Sequence, residues 1–427
     1  MAKNTNMELR NQVIYQVFVR QYSKSSNFKG VTKDLKRIKA LGVDIIYLLP
    51  IHPIGKKNKK GSLGCPYSIA NYREVNPDLG TLDDFKELIL ETHKMGLKLI
   101  IDVVYNHTSR DSRLLQEHPE WFYKNESGNI ANKVGDWWDV FDLDYSHQEL
   151  REELIDTLCY WATLGVDGFR CDVASLIPLD FWLTARKRLE SINPNIILLA
   201  ESVHIEFLKS LRDQGFEAYS DCELYQAFDM EYDYDIYHLY QDYLFNNQNL
   251  NLWLKALRNQ EMIYPSNYIK VRCLDNHDQR RFGEFIKDES KFINLLALNY
   301  LLKGTTFIYA GTEVKDEKLE SLFDIDLINW NTGHDYSQIM QKLSSIKKHP
   351  LFKDGTYDII LEELEVAHLI YKSKTKKLEC ILNLGNVKGR LNVGFKDGKY
   401  LNLFNNNEVV VKEGQVALEK EPLVILG

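Results

Sequence analysis

The 427-residue chain is 44% hydrophobic and 27% charged, an ordinary globular composition, and its length allows several domains or one large barrel with an appendage. Its formal net charge of −8 argues against a nucleic-acid partner. No apolar run approaches the ~18 residues of a membrane span. The six cysteines (65, 159, 171, 222, 273 and 380) lack the C-x-x-C spacing of a zinc site. With no apolar signal core in the first ten residues, the expectation is a reduced, cytoplasmic protein. The lysine run 56–60 sits among glycines and reads as a solvated loop.

Short apolar runs alternate with helical patterns along the chain. Residues 13–19, 43–49, 97–104, 166–172, 196–201, 268–274 and 305–310 are apolar on both faces and rich in β-branched residues, which predicts buried strands. A sixth strand is expected within 218–228. Thr81 can cap a helix whose apolar face is Phe85, Leu88, Ile89 and Met95, and Gly96 ends it. Ser146 with Glu149 reads as a capping box for the helix carrying Leu150, Leu154, Leu158 and Trp161. Asp180 can cap the next, which stops at Asn193-Pro194.

Eight such units over about 350 residues fit a closed (β/α)₈ barrel. An open doubly wound sheet is disfavoured, since no G-x-G-x-x-G follows any strand. Residues 106–144 break the alternation as a long polar and aromatic insertion, which marks a functional loop or small subdomain. After 352 the pattern changes to short alternating runs split by glycines. The expected organisation is therefore a catalytic barrel over 1–352 and a small antiparallel β domain over 353–427.

Three predicted strands end in charge, where burial is costly unless the charge is paired or used. They end at Asp172 in Gly-Phe-Arg-Cys-Asp, Glu201 in Ile-Ile-Leu-Leu-Ala-Glu, and Asp278 in Leu-Asp-Asn-His-Asp. An earlier cluster is Ile-Ile-Asp-Val-Val-Tyr-Asn-His, 100–107. Arg170 and Asp172 project to one side of their strand, so the guanidinium is expected to lower the carboxyl's pKa and suit it to nucleophilic attack. Glu201, preceded by apolar residues, suits a general acid. Two carboxylates in unlike settings are what retaining glycoside cleavage needs. Taken singly, the Arg170–Asp172 pair reads as a salt bridge, Glu201 as a rim residue, and Asn276-His277-Asp278 as a turn. Asp102, inside a strand, can hold Arg170.

Together these segments resemble the α-amylase family of glycoside hydrolases, in the same order. Asp102-Val-Val-Tyr-Asn-His107 resembles the family's first segment, and Gly168–Asp172 the one ending in the nucleophile. Glu201 falls at the acid/base, and Asn276-His277-Asp278 resembles the segment whose aspartate stabilises the transition state. Tyr67 falls where a tyrosine stacks on the reacting sugar, and Phe141–Asp144 where the inserted domain B closes. The resemblance spans residues 13 to about 350, and the C-terminal part resembles domain C. It implies that His107, Arg170 and His277 contact substrate. It also implies a calcium ion held by Asn106 and Asp142, with no organic cofactor. The tryptophans at 121, 137 and 138 are open to two readings, sugar stacking or domain B packing.

The pattern has departures. Many α-amylases carry Lys-His three and four residues after the nucleophile; here Ser175 and Leu176 stand there. The lysine contacts sugar beyond the cleavage point. The histidine offers only a backbone carbonyl to calcium, which Leu176 also possesses. Val173 follows the nucleophile, a residue type seen in relatives acting on α-1,6 or mixed linkages. The expected activity is an α-1,4-glucan hydrolase working as a monomer on malto-oligosaccharides and soluble dextrins rather than granular starch, given the missing Lys-His and the missing signal core. An α-glucosidase or transglycosylase is the alternative within the family, and a non-catalytic barrel relative is disfavoured because all three carboxylates are present.

Overall fold

The computed structural model describes residues 5–427. Eight parallel strands close a barrel: β1 (Val13–Val17), β2 (Ile45–Leu48), β3 (Lys98–Val103), then, after the insertion strands β4 (His107–Ser109) and β5 (Val140–Asp142), β6 (Gly168–Cys171), β7 (Ile197–Ala200), β8 (Met230–Tyr232), β9 (Lys270–Arg272) and β10 (Thr305–Tyr309). Each barrel strand pairs with its chain neighbour, skipping the insertion, and β10 closes on β1 through Val13↔Thr306 and Tyr15↔Ile308. Strands β1, β2, β6 and β7 are buried throughout their lengths, in keeping with their largely apolar sequences. Gly168 opens β6 because a Cβ there would lie 2.4 Å from the Ile197 carbonyl oxygen. That close approach sets β6 against β7, and their carboxyl ends carry Asp172 and Glu201.

The sixth barrel strand is Met230–Tyr232, not a segment within 218–228. Its outward residue, Glu231, pairs in register with Lys270 of β9. Lys270 is fully buried and its ammonium also meets Asp221, Asp235 at 3.3 Å and the Tyr232 carbonyl at 3.1 Å. Next to it Arg272 reaches Asp233 and the Gln260 side chain, both at 2.7 Å. Glu231 thus sits beside a buried ionic cluster to which helix Leu250–Ile263 contributes Gln260, and an apolar pattern does not find this strand. Residues 221–224 within the expected strand form a helical turn instead.

Helix Leu82–Lys94 begins at Thr81 with a reciprocal Thr81–Asp84 capping box, and Gly96 follows in the left-handed conformation at φ 65°. Met95 lies beyond the buried stripe and is exposed. Two other expected caps differ. Helix Gln148–Thr163 starts after His147 with no side-chain cap, because the Ser146 N–H donates back to Asp144 in a turn. Helix Leu179–Ile192 starts after Pro178; Asp180 lies within its first turn and pairs with Arg151 at 2.6 Å.

The insertion is anchored by β4 and β5, paired antiparallel with His107 opposite Asp142. A separate apolar cluster joins it to the barrel rim: Val134 and Trp137 pack with Val173, Leu176, Val203 and Leu211. The C-terminal region is a four-stranded antiparallel sheet of Thr356–Leu361, Val366–Lys372, Lys377–Asn383 and Leu423–Leu426, with two small hairpin sheets. It shares the main core with the barrel and is pinned by Tyr371 donating to the Leu301 carbonyl at 2.8 Å and by Asn294 accepting the Asn383 N–H at 3.0 Å. Among the described residues no helix is long and apolar enough to cross a membrane.

Candidate active site

The carboxyl ends of β3, β6, β7 and β9 open on one face, where a (β/α)₈ barrel places its chemistry. Asp102 stands opposite Arg170 in the parallel register, and Asp172 and Glu201 are the first residues beyond β6 and β7. Arg170 is the hub. Its fully buried guanidinium contacts Asp102 at 2.9 Å, Asp172 Oδ1 at 2.7 Å and Glu201 Oε1 at 2.8 Å. Two carboxylates thus lie within reach of one guanidinium, at the ends of adjacent strands.

Arg170 does not lower the Asp172 pKa as its proximity alone suggests. Burial and then the Glu201 carboxylate push the Asp172 carboxyl well above its ordinary value, and Arg170 only opposes them. Burial and the neighbouring Glu201 charge therefore both disfavour the ionised form of Asp172. Asp102 is likewise pushed up by burial, against Arg170 and a 2.6 Å hydrogen bond from Tyr47. Asp278 behaves oppositely. Partial desolvation raises it, but His277 at 3.0 Å and the Arg170 charge outweigh that and hold it below the usual range.

His277 is set by a chain of contacts. The Gln16 amide meets its Nδ1 at 2.8 Å, so Nε2 carries the proton and reaches the Tyr67 hydroxyl at 2.5 Å. Tyr67 in turn donates to Asp102 at 2.9 Å, and its ring stacks on His277 with centroids 5.4 Å apart. His107 is buried, and burial pulls its imidazole down to about 4, so it is neutral near pH 7. Trp137 leans on it at 5.2 Å. Of the three insertion tryptophans, Trp121 is buried and stacked on His118, Trp137 belongs to the apolar cluster, and Trp138 is 47% exposed beneath Lys60.

Sequence reasoning missed Gln16, Tyr47, Tyr232 and Tyr234. Gln16 and Tyr47 carried a faint signal as polar atoms inside otherwise apolar strands. Val173 has a further role. It sits at φ 36°, a rare conformation for a β-branched residue, and its N–H donates to Glu201 Oε2 at 2.8 Å. Ser175, one of the departures from the resembled pattern, is buried, and its hydroxyl accepts the Val203 N–H at 3.2 Å.

Asn106 and Asp142 do meet, at 3.4 Å. Asp142 Oδ2 already accepts the Lys133 N–H at 2.9 Å, burial lifts its carboxyl to about 6, and the Lys133 charge acts on it. One carboxylate and one amide fall short of the six to eight oxygens calcium takes. These residues do not fit a calcium site.

A closed (β/α)₈ barrel with paired carboxylates at the ends of neighbouring strands and an insertion after the third barrel strand defines a class of glycoside-processing enzymes. Comparison with known proteins makes the class specific. The model of the alpha amylase catalytic domain matches residues 16–141 and 120–354, and that of the bacterial alpha amylase C-terminal domain matches 358–425. The chain belongs to the α-amylase family. It is similar to the crystal structure of an alpha-amylase from Lactobacillus plantarum, 43% identical, covering 99% of this chain and 100% of that one with a TM-score of 0.96. A noncanonic maltogenic alpha-amylase from Thermotoga neapolitana is 32% identical, with 98% and 99% covered and a TM-score of 0.87. An alpha-1,4-glucan:maltose-1-phosphate maltosyltransferase from Picrophilus torridus is 26% identical over 87% of this chain, which spans 60% of that relative's length.

Proposed function

We propose that the protein is a retaining hydrolase of α-1,4-glucosidic bonds in malto-oligosaccharides and soluble dextrins. The observation that carries this reading is the Arg170 guanidinium shared by Asp172 and Glu201. Asp172 Oδ1 is held by Arg170, which leaves Oδ2 to attack the anomeric carbon as the glycosidic C–O bond breaks. Glu201, turning from Arg170, gives its proton to the leaving oxygen. It then takes a proton from the water that cleaves the Asp172 ester. Asp278, ionised beside His277, stabilises positive charge developing on the sugar. Tyr67 and His107 fit the sugar ring on the non-leaving side, and Asp102 holds Arg170 and Tyr67 in place.

This mechanism requires carboxyl groups about 5–5.5 Å apart and retention of configuration. Proton NMR of the first product from maltoheptaose should show the α-anomer, with higher initial rates on maltotriose through maltoheptaose than on granular starch. An initial β-anomer sinks the mechanism; a preference for insoluble starch sinks only the dextrin assignment. A transferase reading is favoured by one specific likeness, the Picrophilus torridus maltosyltransferase. It differs in the acceptor that resolves the Asp172 ester.

We further propose a monomer in a reducing cytoplasm, a setting supported by six free thiols, with domain B held by the Val134–Trp137–Leu176 cluster rather than by calcium. Exhaustive chelation should leave the melting curve unchanged, because a ligand stabilises only if it binds the native state. A lowered melting temperature restored by added calcium overturns this.

A further inference from the structure

Residues 55–68 form a loop after β2 that returns on itself. At its neck the Gly55 N–H donates to the Ser68 carbonyl at 2.9 Å, and Ile54 bridges Ile69. The lysine run 56–60 stands at its start and Tyr67 at its end. The loop is tied down on two sides. Toward the insertion, the Lys56 and Lys57 N–H groups donate to Asp111 Oδ2 at 2.9 and 3.0 Å, and the Lys60 ammonium meets buried Asp139 at 2.9 Å. Toward the segment after β10, the Leu63 N–H donates to the Phe323 carbonyl at 2.9 Å and the Ser62 N–H to Asp324 Oδ1 at 2.8 Å. The segment after β1 fastens the same seam. Arg20 donates to the Gly64 and Leu322 carbonyls at 3.3 and 2.9 Å, and the Gln21 amide to the Ser321 and Asp324 carbonyls, both at 2.6 Å.

The insertion after β3 and the segments after β10, β1 and β2 are thus sewn into one rim. Strand β7, which carries Glu201 at its end, lies four strands from β1 in either direction round the barrel. Glu201 protonates the leaving oxygen, so the sewn sector faces the opposite, non-leaving side. Its inner edge is at Lys60. Lys56, Lys57 and Lys59 are exposed, whereas the Lys60 side chain is only 23% exposed and lies over Trp138. The charges of Lys60 and Asp139 both act on His107, which fits the reacting sugar from this side. An α-1,4-glucan runs from the reacting sugar toward its non-reducing end on the non-leaving side, and so toward this rim.

We propose that loop 55–68, tied between the insertion and the segment after β10, is an end wall to the cleft, so that the enzyme works inward from the non-reducing end of a chain and releases one short product of fixed length. The inference rests on the retaining-hydrolase reading above. The Lys60 ammonium keeps donors beyond the one turned to Asp139, and these meet the hydroxyl oxygens of the terminal sugar. The wall acts by excluding further chain, and the chemistry stays with Asp172 and Glu201.

The test compares two maltoheptaosides labelled at the reducing end, one with a free non-reducing end and one capped there by a 4,6-O-ethylidene group. The free one should give a single labelled product at early conversion. The capped one should be cleaved roughly tenfold or more slowly, the scale of one steric conflict. Lys60→Ala combined with Asp324→Ala removes one tie on each side of the loop and should raise the capped-to-free rate ratio roughly threefold or more. A loss of stability or of catalytic power slows both substrates alike and leaves the ratio unmoved. If the double variant fails to fold, Lys60→Ala alone and the wild type decide. Equal wild-type rates on the two substrates, a spread of labelled products at early conversion, or an unmoved ratio in the folded variant overturns the proposal. A wild type that cleaves neither substrate, or releases the β-anomer first, instead overturns the retaining-hydrolase reading.

Discussion

Asp172→Asn and Glu201→Gln variants should remain folded and lose nearly all turnover of maltoheptaose, by about 10⁴-fold or more for Asp172 and about 10²–10⁴-fold for Glu201. The two losses have different signatures. Fluoride is a leaving group that needs no proton, so Glu201→Gln should still form the Asp172 ester from α-maltosyl fluoride. It then stalls, because no carboxylate activates water. Stopped-flow should show a burst of fluoride near one equivalent of enzyme for Glu201→Gln and none for Asp172→Asn. Near wild-type turnover in either variant, or the burst appearing in the wrong one, removes the assignment.

The second large effect is on stability. Lys270→Met should destabilise the fold by about 3–5 kcal/mol, the usual cost of stranding buried charge. Its ammonium lies among Asp221, Asp235 and Glu231, with Tyr264 4.5 Å below. The effect should depend on pH, and its sign follows from Asp235. Burial raises that carboxyl, but Lys270 together with hydrogen bonds from Gln260 and Tyr264 outweighs it and holds the pKa below the ordinary value. The stabilisation is therefore present above the unfolded carboxylate pKa and is lost as pH falls through the lower folded value. The difference between wild type and variant should thus shrink toward acid. Urea midpoints measured at pH 7 and near pH 3 test this; a loss under about 1 kcal/mol at pH 7 contradicts the pairing.

The same cluster explains what was and was not legible in the sequence. Seven barrel strands announced themselves as apolar runs, β9 among them because Ile269, Val271, Cys273 and Leu274 flank its buried Lys270 and Arg272. The sixth did not, because its middle residue is Glu231, paired with Lys270 of β9. Its short run, Met-Glu-Tyr, lies between acidic residues that pattern reasoning assigns to loops. The carboxylates Asp102, Asp172, Glu201 and Asp278 were legible because charge at the end of a buried strand is conspicuous. Their electrostatics were not. Proximity to Arg170 within β6 suggested a lowered Asp172 pKa, whereas burial and Glu201 from the next strand determine its direction. Gln16, Tyr47 and Tyr234 act through tertiary contacts and carry no local motif. The apparent Ser146 capping box failed because Asp144, two residues earlier, captured its N–H.

The shared guanidinium at the centre of the barrel has a consequence for how the protein tolerates change. Asp102, Asp172 and Glu201 come from three different strands yet answer to one side chain. Substitutions at these positions are then epistatic: once Arg170 is lost, its three dependents have little further to lose, and combined variants fall far short of the sum of single ones. Lysine is a poor replacement, since its compact ammonium lacks the broad planar fork that reaches Asp102, Asp172 and Glu201 from two separate nitrogens. Change at this centre is therefore confined to concerted substitutions.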